Sequence, residues 1–207
     1  MFKTEQEKFW NEQFGCDYIM RNNNDELLKN KKNMFEQIFK NITDIKSVLE
    51  FGANIGLNLK AIENVYKGPL DITAIDINQM SCKLLSETSN YNVVNASILN
   101  YNITSKYDFV LTTGLLIHLD PSILTDVYNI IYNSSSKYIC IAEYYNRTPI
   151  SIDYRGEKDK LFKRDFAGDM LNNFPDIELI NYGFIYHKDK NYPLDDITWF
   201  LLEKKNI

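Results

Sequence analysis

The 207 residues read as an α/β protein: a seven-stranded, mostly parallel, doubly wound sheet that closes in a C-terminal antiparallel hairpin and carries an N-terminal helical extension. Three observations point there. The stretch SVLEFGANIGLN at 47–58, answered by ITAIDIN at 72–78, has the order strand, glycine turn, helix, strand, acid. Short apolar runs then alternate with helical patterns as far as Ala142, as βαβ crossovers require. Finally, two strand patterns, 177–186 and 196–203, are separated only by a polar turn, so they should pair antiparallel at one edge. The expected organisation is one domain over 1–207, with an extension over 1–40 and a body over 45–207.

From the N-terminus, residues 4–14 read as a helix capped by Thr4, with Glu7 completing a capping box and Phe9, Trp10 and Phe14 forming an aromatic stripe. Gly15 to Asn24 reads as a turn segment around Tyr18 and Arg21, leading into a helix from Asp25 to about Lys40. Val48, Leu49 and Phe51 make the first strand, and Leu57, Ala61 and Val65 share one face of the helix that follows. A helix over 79–89 and a short strand around Val93 and Val94 come next, ending in Asn95-Ala96-Ser97-Ile98. The fourth strand is 107–111, and Asp120-Pro121 then caps a helix with Ile123, Leu124, Val127, Ile130 and Ile131 at helical spacing. After the fifth strand, 138–142, residues 143–160 read as a long irregular loop, and 161–173 as a helix ended by Pro175.

The glycine turn carries the chemistry. A missing Cβ at Gly52 and Gly56 lets the backbone turn tightly or approach a ligand, and Asp76, twenty residues after Gly56, can accept both hydroxyl protons of a ribose. A dinucleotide site would show G-x-G-x-x-G for its pyrophosphate. Here only two glycines are present, separated by Ala53, Asn54 and Ile55, and Glu50 stands just before them. An acid there repels a pyrophosphate and suits the ammonium end of a methionine moiety. The expected cofactor is therefore S-adenosylmethionine, in a Rossmann-like class I methyltransferase. Its expected contacts are Glu50, Gly52, Asn54, Gly56, Asp76 and Ile77, with Ser97 and Ile98 at the base and Thr113 after the fourth strand.

Composition excludes several alternatives. Acids exceed bases 28 to 23, giving a net charge of -5 with no long basic run, which argues against nucleic acid as partner. Cys16, Cys82 and Cys140 are scattered and suggest neither disulfides nor zinc, so no metal site is expected. No signal-like apolar core opens the chain, and no stretch approaches the ~18 apolar residues of a membrane span. A cytoplasmic location and no membrane partner are the expectation.

The chain resembles the pseudaminic acid biosynthesis-associated methylase family, a branch of the class I S-adenosylmethionine-dependent methyltransferases. The resemblance runs over nearly its full length, on TEQEKFW, DYIMRN, VLEFGANIGLNL, GLLIHL, IAEYYN, YRG, KLFKRDFAGDML, YGFIYHKD and DDITWFLLEK. Asn54 departs from the middle glycine common in class I enzymes. The resemblance implies a bacterial enzyme methylating a nonulosonic sugar, of pseudaminic or legionaminic type, or its CMP-activated nucleotide sugar. A methyltransferase of a protein side chain such as flagellin, and a non-catalytic S-adenosylmethionine-binding module, are the alternatives. Candidate bases are the two histidines, His118 and His187, with Glu143 as their rival. Anion-binding arginine and lysine grouped with tyrosines point to the acceptor: Tyr144, Tyr145, Asn146, Tyr154, Arg155, Lys163 and Arg164, with Tyr18 and Arg21 from the N-terminal segment.

Overall fold

A computed structural model describes residues 2–21 and 24–205, the side chains of Met20 and Arg21 excepted. Seven strands form the main sheet: β1 (Ser47–Phe51), β2 (Asp71–Asp76), β3 (Asn92–Asn95), β4 (Tyr107–Thr113), β5 (Ser135–Glu143), β8 (Ile177–Ile185) and β9 (Ile197–Lys204). Two more, β6 (Ile150–Tyr154) and β7 (Glu157–Lys163), pair separately. The main order is β3-β2-β1-β4-β5-β9-β8. Pairing is parallel from β3 to β5 and antiparallel where β9 joins β5 and β8, as the sequence leads one to expect.

The order reverses between β1 and β4, and at such a switch point the loops beyond the strand ends diverge and leave a crevice. Successive residues of the central strands feed opposite faces. Val48, Phe109 and Leu111 pack in one core under α3 (Asp25–Phe39) and α4 (Leu57–Val65), while Leu49, Phe51 and Val110 pack in the other beside α6 (Leu124–Ser134). A parallel strand covered on both faces reads as a continuous apolar run. By the same alternation Glu50 shares the face of Val48 and is fully buried.

The N-terminal capping box forms as read: Thr4 Oγ1 accepts from the Glu7 N–H, and Glu7 Oε2 accepts from the Thr4 N–H, opening α1 (Glu5–Asn11). The expected turn at Gly15–Asn24 is instead a second helix, α2 (Gln13–Arg21), with residues 22–23 outside the described ones. Gly15 serves close approach here, since a Cβ would stand 2.0 Å from the Trp10 carbonyl oxygen. The long loop after β5 is corrected as well, because most of it is the β6–β7 hairpin. Its turn, Arg155-Gly156, has φ 53 and 90, the positive pair that a type I′ hairpin turn requires. The charged run EKDK in β7 hides the alternation from which a strand is read. β7 also takes residues 161–163 from the expected helix, so α7 (Phe166–Asn173) starts later, capped by Asp165 accepting from the Gly168 N–H at 2.8 Å. Between β2 and β3, α5 (Gln79–Thr88) completes the crossover, capped by Asn78. Among the described residues no helix is long and apolar enough to cross a membrane.

Candidate functional site

A cavity of about 340 Å3 opens at the switch point, bounded by the ends of β1, β2 and β4, by α1 and α2, and by the β6–β7 turn. Its floor is the glycine turn. Gly52 and Ala53 donate their N–H groups to the Ile75 carbonyl at 2.8 and 3.0 Å, which ties the turn to β2. Gly56, at φ 75, caps α4, and a Cβ there would meet Leu85 Cδ1 at 2.6 Å. Asn54 adopts φ 49 between them. Asparagine tolerates this left-handed conformation better than most residues, so the departure from glycine leaves the turn intact.

Asp76 stands at the cavity wall. Its Oδ2 accepts from the Asn54 N–H at 2.7 Å and its Oδ1 from the Asn78 N–H at 2.8 Å. Burial raises its carboxyl above the usual range against these two bonds. A carboxylate oxygen accepts two donors, so each keeps one position for a ribose hydroxyl. Ile77, Ser97, Ile98 and Thr113 line the same cavity, as do Gly52 and Asn54. Gly56 belongs to the turn beneath.

On the other side of Asp76 lies a buried polar chain that sequence alone did not reveal. Glu50 Oε1 accepts from Asn58 Nδ2 at 2.6 Å, and Lys31 Nζ from α3 donates to Asn58 Oδ1 at 2.6 Å. Glu50 does not itself line the cavity, whereas Asn58, Lys31 and Asp195 do. Burial pushes Glu50 up to about 8, opposed by the Asn58 bond and by the Lys31 charge, and burial lowers Lys31. Glu50 Oε2 has no hydrogen-bond partner among the described residues. A cationic group arriving at this wall pulls Glu50 toward its ionised form, and Lys31 suits a carboxylate. Together these features fit S-adenosylmethionine: acceptor positions for its ribose at Asp76 and complementary charges for its amino-acid end.

The wall of the cavity around His118 is aromatic. His118, 7% exposed, has its ring centroid 4.5 Å from that of Trp10 and 5.0 Å from that of Tyr154. Its Nδ1 lies 2.7 Å from the Lys160 carbonyl of β7, which can only accept, so Nδ1 carries the proton and Nε2 keeps its lone pair. Burial lowers its pKa to about 4, partly countered by that bond. Tyr18, Tyr144, Tyr154 and Arg155 also line the cavity.

Other expected residues lie elsewhere. Glu143 is buried behind the loop that follows β4, where it accepts from the N–H groups of Leu115, Leu116 and Ile117 at 3.1, 3.1 and 3.4 Å. Burial pushes it up to about 7 despite these bonds. It is the anchor of the His118 loop and does not line the cavity. His187 sits outside, its Nδ1 2.8 Å from Asp196. Tyr145 and Lys163 flank a separate shallow groove that also touches Tyr144, Asn146 donates to the Thr148 carbonyl, and Arg164 pairs with Asp169 at 3.4 Å. Arg21 closes α2, its side chain outside the described residues.

This arrangement agrees with sequence comparison. Residues 20–169, well over half of the chain, match the family model described as tellurite resistance protein TehB. The chain belongs to the TehB family. No curated protein matches it. Among solved structures it is similar to the Burkholderia thailandensis 1,6-didemethyltoxoflavin-N1-methyltransferase with bound 1,6-didemethyltoxoflavin and S-adenosylhomocysteine. That likeness has a TM-score of 0.70 at 12% identity, over 97% of this chain and 87% of that one. It is also similar to the plantazolicin methyltransferase BpumL in complex with S-adenosylhomocysteine, with a TM-score of 0.66 at 14% identity, over 97% and 94%. For TehB from Haemophilus influenzae the TM-score is 0.60 at 19% identity, over 84% of this chain and 62% of that one. By family and fold it is a class I S-adenosylmethionine-dependent methyltransferase.

Among the cavity residues missed in sequence are Gln6, Glu7, Trp10, Lys31, Asn58 and Asp195. Glu7 was visible only in the capping box, Trp10 only in the aromatic stripe, and Lys31 only as a position in the helix from Asp25 to about Lys40. Nothing local marks which way such side chains point.

Proposed function

We propose that the protein transfers the methyl group of S-adenosylmethionine to a hydroxyl or amine of a small anionic acceptor, a nonulosonic acid of the pseudaminic or legionaminic type or its CMP-activated form. One observation carries this reading: a single cavity runs from Asp76 to an aromatic wall bearing one guanidinium, Arg155, and one buried neutral imidazole, His118. When bound, S-adenosylmethionine supplies an activated methyl group. The chain's task is then to align the acceptor and to take up its proton, with proximity providing most of the acceleration. Trp10, Tyr144 and Tyr154 supply aromatic surface beside a sugar ring, Arg155 meets a carboxylate, and His118 Nε2 accepts the proton of the attacking group. In this reading residues 45–207 are the catalytic body, and residues 1–40 an extension that completes its site.

The family match supports a second reading, in which the acceptor is an inorganic oxyanion such as the tellurite for which the family is named. Calorimetry separates the two. S-adenosylhomocysteine is titrated first, then a CMP-linked nonulosonic sugar is added to the preformed complex. The first reading expects both to bind, the nucleoside lost in Asp76→Ala and the sugar alone lost in Arg155→Ala, with mass spectrometry detecting a methylated sugar. Consumption of S-adenosylmethionine with tellurite but not with sugar transfers the conclusion to the oxyanion. Labelling of flagellin in preference to free sugars transfers it to a protein acceptor.

A further inference from the structure

Glu7 is 5% exposed, lines the cavity and forms no salt bridge among the described residues. A carboxylate taken out of water without a cation must be met by hydrogen bonds. Its Oε2 accepts from the Lys3 and Thr4 N–H groups, which fills that oxygen. Its Oε1 accepts from Ser97 Oγ and keeps one position open. The neighbouring Gln6, also 5% exposed, donates its amide to the Asp159 carbonyl at 3.1 Å, and its buried Oε1 has no partner among the described residues. Both residues line the cavity, and each carries an acceptor atom without a full set of donors among the described residues.

The sheet order says which part of a ligand meets them. Asp76 ends β2, and the Lys31–Asn58–Glu50 chain lies on the β1 side of it. β3 lies on the opposite side of β2 and ends at the Ala96–Ser97–Ile98 turn. A nucleoside with its ribose on Asp76 and its amino-acid end toward Lys31 thus lays its base toward Ser97. Ser97 spends its single proton on Glu7, and its oxygen already accepts from the Leu99 N–H at 3.1 Å. It has no donor left for the base.

We infer that Glu7, carried on α1 outside the α/β body, accepts the 6-amino group of the cofactor's adenine and makes the N-terminal helix a determinant of base specificity. The inference rests on the cofactor reading above. A carboxylate matches an amino group and opposes a 6-oxo group, whose lone pairs would face its own.

The test is calorimetric titration of the full chain with S-adenosylhomocysteine and with S-inosylhomocysteine, which has oxygen in place of the 6-amino group. Wild type is expected to prefer the amino compound by about tenfold or more. Glu7→Gln can keep its oxygen on the cap and turn its amide toward the base, so it narrows or reverses that preference. Should this variant not fold, judged by circular dichroism, Glu7→Asp withdraws the carboxylate by one methylene and must reduce the preference. Equal binding of the two compounds by wild type, or an unchanged preference in a folded variant, overturns the inference. Failure of S-adenosylhomocysteine to bind wild type overturns the cofactor reading itself. The two failures are distinct, because Asp76→Ala weakens both nucleosides alike whereas Glu7→Gln changes their ratio.

Discussion

At His118, burial and one backbone carbonyl set both the tautomer and the proton affinity. With a pKa lowered to about 4, the ring is neutral throughout the working range. An acid limb in kcat/KM is therefore expected near 4, well below the usual histidine value, and pH-rate profiles check this. His118→Asn should lower kcat by roughly a hundredfold or more, the scale of a lost general base. The same shift has a stability consequence. The folded pKa lies below the unfolded one, so the unfolded chain takes the proton first; the contribution is full above about 6.5 and is lost as pH falls toward 4. Between pH 7 and pH 5 the loss is about 2 kcal/mol. Glu143 and Glu50, raised to about 7 and about 8, act in the opposite sense, their contribution being full at low pH and lost as pH rises through those values. Urea unfolding should thus reveal the histidine slope as the difference between wild type and His118→Asn, and an identical pH dependence in both would refute it.

Among the elements, the α4 turn and the β6–β7 hairpin carry the clearest demands. Gly56→Ala puts a Cβ 2.6 Å from Leu85 Cδ1 at φ 75, so left-handed strain and overpacking add to a loss of roughly 2–4 kcal/mol. Equilibrium unfolding measures that loss, and a change within a few tenths of a kcal/mol would mean that α5 gives way. The hairpin works through its backbone more than its charges. The Lys160 and Asp159 carbonyls hold His118 and Gln6, while the Lys160–Glu5 pair, at 3.7 Å with the Glu5 side chain 91% exposed, contributes little. Replacing residues 152–161 by a short glycine linker removes Tyr154 and Arg155 with the turn. Acceptor binding should disappear while calorimetry still detects S-adenosylhomocysteine; a sugar bound as before would place the acceptor elsewhere.

Taken as one body, the protein closes a cavity between parts that a ligand can link: α1 and α2, the switch point of the sheet, and the hairpin. Saturation with S-adenosylhomocysteine at about 100 times its Kd should stabilise it by about 2.7 kcal/mol and raise Tm by roughly 5–10 °C. Scanning calorimetry should find no such rise in Asp76→Ala. The glycine turn, Asp76, the sheet with its closing hairpin and the capping box were all legible in the chain, because each is specified within about twenty residues by backbone conformation, apolar period or strand-end position. The β6–β7 hairpin was not, since its charged strand lacks an apolar face. Glu143 read as a base and proved to be an anchor, and the tyrosine and arginine cluster after β5 was divided among a cavity, a groove and a salt bridge. Lys31 and Asn58 met Glu50, and Glu7 met Ser97, only through packing of distant segments. Local sequence governs conformation through short-range sterics and hydrogen bonding, but the direction of a polar side chain depends on which remote surface leaves it a partner once water has been excluded.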